Sequence, residues 1–158
     1  MLSVYEKVES TRITCTECLV YILIKSNILS NDNFKTMRCV WVNQAACICD
    51  GVAREVKVNS ALQAEAYAIR EACYLVSSRQ AWGTYIFSDS KVLVSLLNLE
   101  LVPPWEVTAL VQDIKKMGAD FGVSFCFVPR NLNRAAHWVA NQMSRGTLPP
   151  NWMSVIPP

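Results

Sequence analysis

No stretch of this chain is apolar for long enough to cross a bilayer. The longest apolar run near the start, Cys18 to Ile24, holds seven residues and is followed by Lys25, against the roughly twenty that a spanning helix needs. Charge of one sign is also scarce. The net charge is +2 at pH 7, too mild to argue for nucleic acid on charge alone. No secretory leader is recognisable ahead of the seven cysteines, and their number is odd, which is a poor basis for a disulfide framework. A reduced intracellular chain is expected, with most thiols acting as small core residues. What the chain has in quantity is apolar side chains. At 52% hydrophobic and 18% charged over 158 residues, it can bury a sizeable core and fits one domain.

The pattern changes along the chain. Leu19 to Ile24 reads as a strand by its β-branched and aromatic content, and Ser30-Asn31-Asp32-Asn33 as a turn. Residues 38 to 49 look like a second strand with a loose turn inside it. Asp50-Gly51 is a turn dipeptide, and Val52 to Val58 alternates as a third strand. Ser60 then opens a helix. Ser60 and Gln63 have capping-box spacing, and Leu62, Ala66, Ile69, Cys73 and Val76 form a buried stripe reaching about Ser77 or Ser78. Thr84 to Ser88 is a short apolar strand, Lys91 to Asn98 a short helix, and Pro103-Pro104 a break. Trp105 to Met117 is amphipathic, Val123 to Phe127 alternates, and Asn133 can cap a last helix from Arg134 to about Met143. Consecutive strands followed by alternating strands and helices imply an α/β fold. Its mixed sheet is antiparallel over the first three strands and parallel afterwards, with helices on its faces.

Two carboxylates stand at informative places. Asp89 ends an apolar strand, where ligands gather in open α/β sheets. Glu65 lies in the early turns of the preceding helix and borders its apolar stripe, so it belongs at the rim of the core. Two hard oxygen ligands at one point suit magnesium. The same residues also read as a capped helix and a turn aspartate, and spacing leaves both open. Cys15-x-x-Cys18 and Cys47-x-Cys49 offer four thiolates, but the second spacing is too tight for a usual zinc knuckle and neither pair is flanked by glycine, so zinc is not expected.

Several segments in a fixed order carry a resemblance. They are Ser60-Ala-Leu-Gln-Ala-Glu-Ala-Tyr-Ala-Ile-Arg-Glu-Ala, Phe87-Ser-Asp-Ser-Lys-Val-Leu-Val, Trp105-Glu-Val, Val128-Pro-Arg-Asn-Leu-Asn-Arg-Ala-Ala-His-Trp-Val-Ala and Leu148-Pro-Pro-Asn-Trp. Over its last two-thirds the chain resembles the ribonuclease H-like domains of plant genomes, related to retrotransposon reverse transcriptases. The resemblance implies a ribonuclease H-like fold. It also implies hydrolysis of the RNA strand of an RNA–DNA hybrid, with four carboxylates holding two magnesium ions. Glu65 and Asp89 take the places of the second and third carboxylates. His137 takes the place of the fourth. As a neutral imidazole it binds magnesium poorly, manganese better, and it could instead contact a phosphate or donate a proton in product release. The first carboxylate falls near Ser26 and Asn27, neither of which is one, and the glycine-rich hairpin that the resemblance calls for next is absent. Asp32 is the nearest acid.

This donor set implies weak or lost cleavage. One missing central ligand is expected to cost roughly a thousandfold or more in rate. Nucleic-acid binding needs less, and Lys91, Arg130, Asn133 and Arg134 are the candidates to meet phosphate or sugar. Trp82, Trp105 and Trp138 read first as packing residues and second as base-stacking ones. The chain divides into an atypical segment 1–36 that can supply the first strand, a ribonuclease H-like domain 37–145, and a proline-containing tail 146–158. The expected partner is an RNA–DNA hybrid or RNA, the expected state a monomer, and no membrane association is foreseen. The competing reading from another class is a scaffold or interaction module that kept the fold.

Overall fold

The first apolar run does form a strand, and it occupies the middle of the sheet. The computed structural model describes residues 21–28, 34–42 and 48–129. Strand β1 (Tyr21–Ile28) pairs antiparallel with β2 (Phe34–Val42), which pairs antiparallel with β3 (Ile48–Lys57). On its other side β1 pairs parallel with β4 (Tyr85–Ser88), and β4 with β5 (Ser124–Phe127). The sheet order is β3-β2-β1-β4-β5. The expected mixed sheet is therefore present, antiparallel in its first three strands and parallel in the rest.

Between β3 and β4 runs helix α1 (Ala61–Arg79). Its start is the capping box read from the sequence. The Gln63 N–H donates to Ser60 Oγ at 3.1 Å, and the Asn59 N–H donates to Gln63 Oε1 at 2.8 Å, so two otherwise unpaired helix-end donors are satisfied reciprocally. Helix α2 (Lys91–Asn98) is capped by Ser90, whose Oγ accepts from the Leu93 N–H at 3.3 Å. A 3₁₀ turn, Trp105–Val107, follows Pro103-Pro104 and leads into α3 (Thr108–Phe121), which ends at Gly122 in the left-handed region with φ 63°. Helix α1 packs on β1, β2, β4 and α3. The core lies between them, where Ile69, Val76, Ile86, Leu93, Val107 and Ile114 are the largest fully buried side chains. No helix among the described residues is long and apolar enough to cross a membrane.

Three local readings of the sequence need correction. Asp50-Gly51 is not a turn. Both residues lie within β3, opposite Trp41 and Val40, beside a register irregularity at Trp41/Val42. Pairing to a long neighbouring strand overrides the dipeptide's local preference, and glycine beside a bulge costs little. Correspondingly, residues 38 to 49 are not one strand with an inner turn, since β2 ends at Val42 and β3 begins at Ile48. The third correction is Trp105. Expected first as a packing residue, it is 86% exposed, because at about 100° of helix turn per residue it falls on the side away from the stripe of Val107, Leu110, Val111 and Ile114 that α3 buries. Two further expectations, the Ser30–Asn33 turn and the helix from Arg134 to Met143, lie outside the described residues.

Candidate functional site

The site is built where α1 crosses the carboxyl end of β4. Glu65 is carried into the protein by the α1 stripe. Alanines at positions 64, 66, 68 and 72 are buried around it, and these small side chains let the helix approach the sheet closely. Glu65 itself is only 6% exposed, deeper than the rim position its spacing suggested. A buried carboxylate needs donors, and the sheet supplies one. Ser88, fully buried at the end of β4, donates its Oγ–H to Glu65 Oε2 at 3.1 Å. The same Ser88 oxygen accepts the N–H of Ser90 at 3.0 Å. A single hydroxyl thus ties the helix carboxylate to the strand end and shapes the tight turn that presents Asp89. Asp89 is half-buried between these two engaged serines, and Lys91, exposed, opens α2 immediately after.

Two further elements reach this end of the sheet. Strand β5 leaves it here, since the Val128 N–H donates to the Ser88 carbonyl at 2.9 Å. The α1 N-terminus is also clasped from outside. Ser60 Oγ donates to Glu106 Oε1 at 2.9 Å, and Gln63 Nε2 to the Glu106 carbonyl at 3.3 Å. Both bonds hold the 3₁₀ turn against the start of the helix that carries Glu65.

Strand β1 completes the row. It pairs with β4 up to Ile24 opposite Ser88, and Lys25, Ser26 and Asn27 follow in β1. Ser26 and Asn27 are where the resemblance puts the first carboxylate, and none of these three residues is one. No acid occurs anywhere from Tyr21 to Ile28, nor anywhere after Asp120. Among the described residues no three His, Cys, Asp or Glu side chains gather as a metal-holding group.

Of the residues singled out from the sequence, the fold brings Glu65 and Asp89 to one place and sets Lys91 beside them. His137, Arg130, Asn133 and Arg134 lie outside the described residues, as do Asp32 and Cys15, Cys18 and Cys47. Two contributors escaped sequence reasoning. Ser88 gave no signal beyond its place in Phe87-Ser-Asp-Ser, because its role depends on a helix that packs across it. Glu106 gave none beyond its place in Trp105-Glu-Val, because its partner Ser60 is 46 residues away. The thiols behave as core residues. Burial pushes Cys73 up to about 12 and raises Cys126, so neither is primed for nucleophilic work at neutral pH.

With this geometry in view, the comparisons are consistent. The family described as reverse transcriptase-like matches residues 26–143. Among solved structures, the N-terminal RNase H domain of rv2228c from Mycobacterium tuberculosis (solved as a fusion with maltose-binding protein) superposes with a TM-score of 0.70 at 16% identity, covering 83% of this chain and 96% of that one. RNase H1 from the halophilic archaeon Halobacterium salinarum NRC-1 gives 0.69 at 16% identity, covering 80% and 98%. LC11-RNase H1, solved in complex with an RNA/DNA hybrid, gives 0.69 at 13% identity, covering 82% and 99%. No protein of curated function matches the sequence significantly. At these identities the structural likeness establishes the ribonuclease H-like fold, and the match over most of the sequence establishes kinship: the chain belongs to the reverse transcriptase-like family.

Proposed function

We propose that this protein is a ribonuclease H-type nucleic-acid-binding domain whose capacity to hydrolyse the RNA of an RNA–DNA hybrid is weak or lost. The observation that carries the reading is the Glu65–Ser88–Asp89 constellation at the carboxyl end of β4, the place where open α/β sheets bind ligands. Two structural neighbours add support through their partners. LC11-RNase H1 was solved with an RNA/DNA hybrid, and the foamy viral protease-reverse transcriptase with both a hybrid and dsDNA. The plant retrotransposon ancestry suggested by the motifs is part of the same proposal.

The donor set does not fit a pair of magnesium ions. Glu65 and Asp89 are the two carboxylates at the site among the described residues, β1 holds no acid from Tyr21 to Ile28, and none follows Asp120. Two divalent ions carry four positive charges, which two carboxylates only half offset. One magnesium or manganese ion on Glu65 and Asp89 is the most these residues support, with His137 as a further candidate beyond them. Binding asks less of the chain. Its last 38 residues, from Phe121, hold Arg130, Arg134 and Arg145 and no acid. They follow on from β5, which ends beside Ser88. Lys91, Arg130, Asn133 and Arg134 are the residues assigned to phosphate and sugar.

The test is cleavage of a labelled RNA–DNA hybrid, in magnesium and separately in manganese, beside Glu65→Gln and Asp89→Asn, with binding of the same hybrid read by fluorescence anisotropy. Binding with little or no cleavage is expected. Robust cleavage abolished by both substitutions would overturn the loss of activity. A folded protein that neither binds nor cleaves would leave only the scaffold reading.

A further inference from the structure

Trp105 is an expensive residue to leave in water. Burying a large aromatic ring is worth several kcal/mol at order of magnitude, and the chain buries far smaller side chains throughout its core. Single exposed apolar residues are ordinary, so exposure alone says little. Three observations set Trp105 apart.

The first is its mounting. Pro103-Pro104 fix the backbone ahead of it, Thr108 Oγ1 donates to the Pro104 carbonyl at 3.0 Å, and Val107, two residues on, is fully buried. The ring therefore projects from a braced turn. The second is its location. The turn is clasped to the α1 N-terminus through Glu106, and Ser60 lies five residues, or about 7.5 Å of helix rise, ahead of Glu65. Glu65 in turn bonds to Ser88 at the carboxyl end of β4. Trp105 thus stands at the end of the molecule that carries the candidate site. The third is the contrast with Trp82. That residue is also exposed, at 63%, but it lies between the end of α1 and the start of β4, at the opposite end of the sheet. There its ring leans on Phe121 with centroids 5.1 Å apart, which gives it a packing role.

We infer that Trp105 is a stacking platform for an unpaired base of a nucleic-acid strand bound at this end of the sheet. The inference rests on the nucleic-acid reading above and adds a residue to it. An indole offers a flat, sequence-tolerant surface to any base, and stacking of this kind needs no hydrogen-bond code. Bracing the ring before contact reduces the ordering cost of binding. The neighbouring Val102, 94% exposed, extends the apolar edge without competing for hydrogen bonds.

The experiment compares the full chain with Trp105→Ala, Trp105→Phe and Trp82→Ala, using anisotropy of a fluorescein-labelled single-stranded oligonucleotide and of an RNA–DNA hybrid with a single-stranded overhang. Thermal unfolding of each variant is the check on folding. Trp105→Ala is expected to weaken binding about ten-fold, within the range set by base–aromatic stacking. Trp105→Phe should recover most of the loss, and Trp82→Ala should bind as the wild type does. Melting temperatures of the Trp105 variants should match the wild type, since a ring on a residue 86% exposed contributes little to the core. Wild-type affinity in Trp105→Ala, or equal losses in Trp105→Ala and Trp82→Ala, overturns the inference while leaving the nucleic-acid reading intact. Absence of binding by the wild type overturns both.

Discussion

Substituting Ser88 by alanine should cost this protein far more than the loss of one oxygen atom suggests. Ser88 is fully buried, so no water replaces its hydroxyl. Serine and alanine differ too little in volume for a cavity term to matter. The cost is polar. Glu65 Oε2 loses a donor at 3.1 Å inside the protein, and the Ser90 N–H loses its acceptor at 3.0 Å. A hydrogen bond to a charged group contributes about 1.5–3 kcal/mol and a neutral one about 1 kcal/mol. The sum is about 3 kcal/mol, or roughly 6–12 °C in melting temperature for a chain of this size. Urea unfolding reads it directly, as a lower midpoint with an unchanged slope. The reasoning also makes a claim about coupling. In a cycle with Glu65→Ala, the double variant should lose at least about 1 kcal/mol less than the two single losses added together, because both remove the same contact. A loss below about 0.5 kcal/mol in Ser88→Ala, or additivity in the cycle, would refute the view that this hydroxyl holds the helix carboxylate to the strand end.

Three other outcomes are expected. Gly118→Ala places a Cβ 2.8 Å from the buried Phe125 ring, and overpacking of about 1–3 kcal/mol should outweigh the helix-propensity gain of about 1 kcal/mol; adding Phe125→Leu should recover part of the loss in urea unfolding. Cys73, whose thiol burial pushes up to about 12, is neutral in the folded state, so its contribution to stability is complete below the unfolded thiol's value near 8.5 and is lost as pH rises from there toward 12, at up to about 1.4 kcal/mol per pH unit; Cys73→Ala should flatten that alkaline slope, and an unchanged slope would contradict it. Ser26→Asp puts a carboxylate in β1 where the resemblance calls for the first one, two residues past its pairing with Ser88, and should confer manganese-dependent stabilisation of about 3–5 °C at ten times the dissociation constant, with little in the wild type; equal shifts in both would show that β1 does not contribute to the site.

The α1 region was legible because its signals are local. Ser60 and Gln63 announce the cap three residues apart, and the Leu62–Val76 stripe announces the buried face, so the position of Glu65 followed from one helix alone. The β4–α2 junction was legible for the same reason, an apolar strand ending in Ser-Asp-Ser. Failures began where tertiary pairing outweighs local preference. Asp50-Gly51 reads as a turn to any rule based on neighbours, but the long β2 strand claims it by pairing from Phe34 to Val42. The pairing of β1 beside β4 could not be counted from the sequence, because a parallel register is set by strands about sixty residues apart in the chain; it runs from Tyr21 opposite Tyr85 to Ile24 opposite Ser88. Trp105 is a different case: at about 100° per residue it falls on the face away from Val107, Leu110, Val111 and Ile114, so its exposure was legible in the period of α3.

The modest overall charge conceals a segregation that bears on function. All the acidic residues lie at or before Asp120, where they slightly outnumber the basic ones, while the remainder is purely basic through Arg130, Arg134 and Arg145. A phosphate approaching Glu65 and Asp89 alone would meet two negative charges, and a cation must offset them for a nucleic-acid strand to lie close. In a two-metal nuclease the ions do this and perform the chemistry as well. Here β1 holds no acid from Tyr21 to Ile28, and the exclusively basic part of the chain follows the strand that ends beside Ser88. Fixed side-chain cations can attract and hold a polyanion, but they do not polarise a water into a nucleophile as a divalent ion does. The distribution of charge is the ground on which binding with weak or lost hydrolysis is proposed. It also explains how a chain can keep Glu65, Ser88 and Asp89 in place: the hydroxyl between helix and strand fixes the shape of this sheet end whether or not a metal ever occupies it.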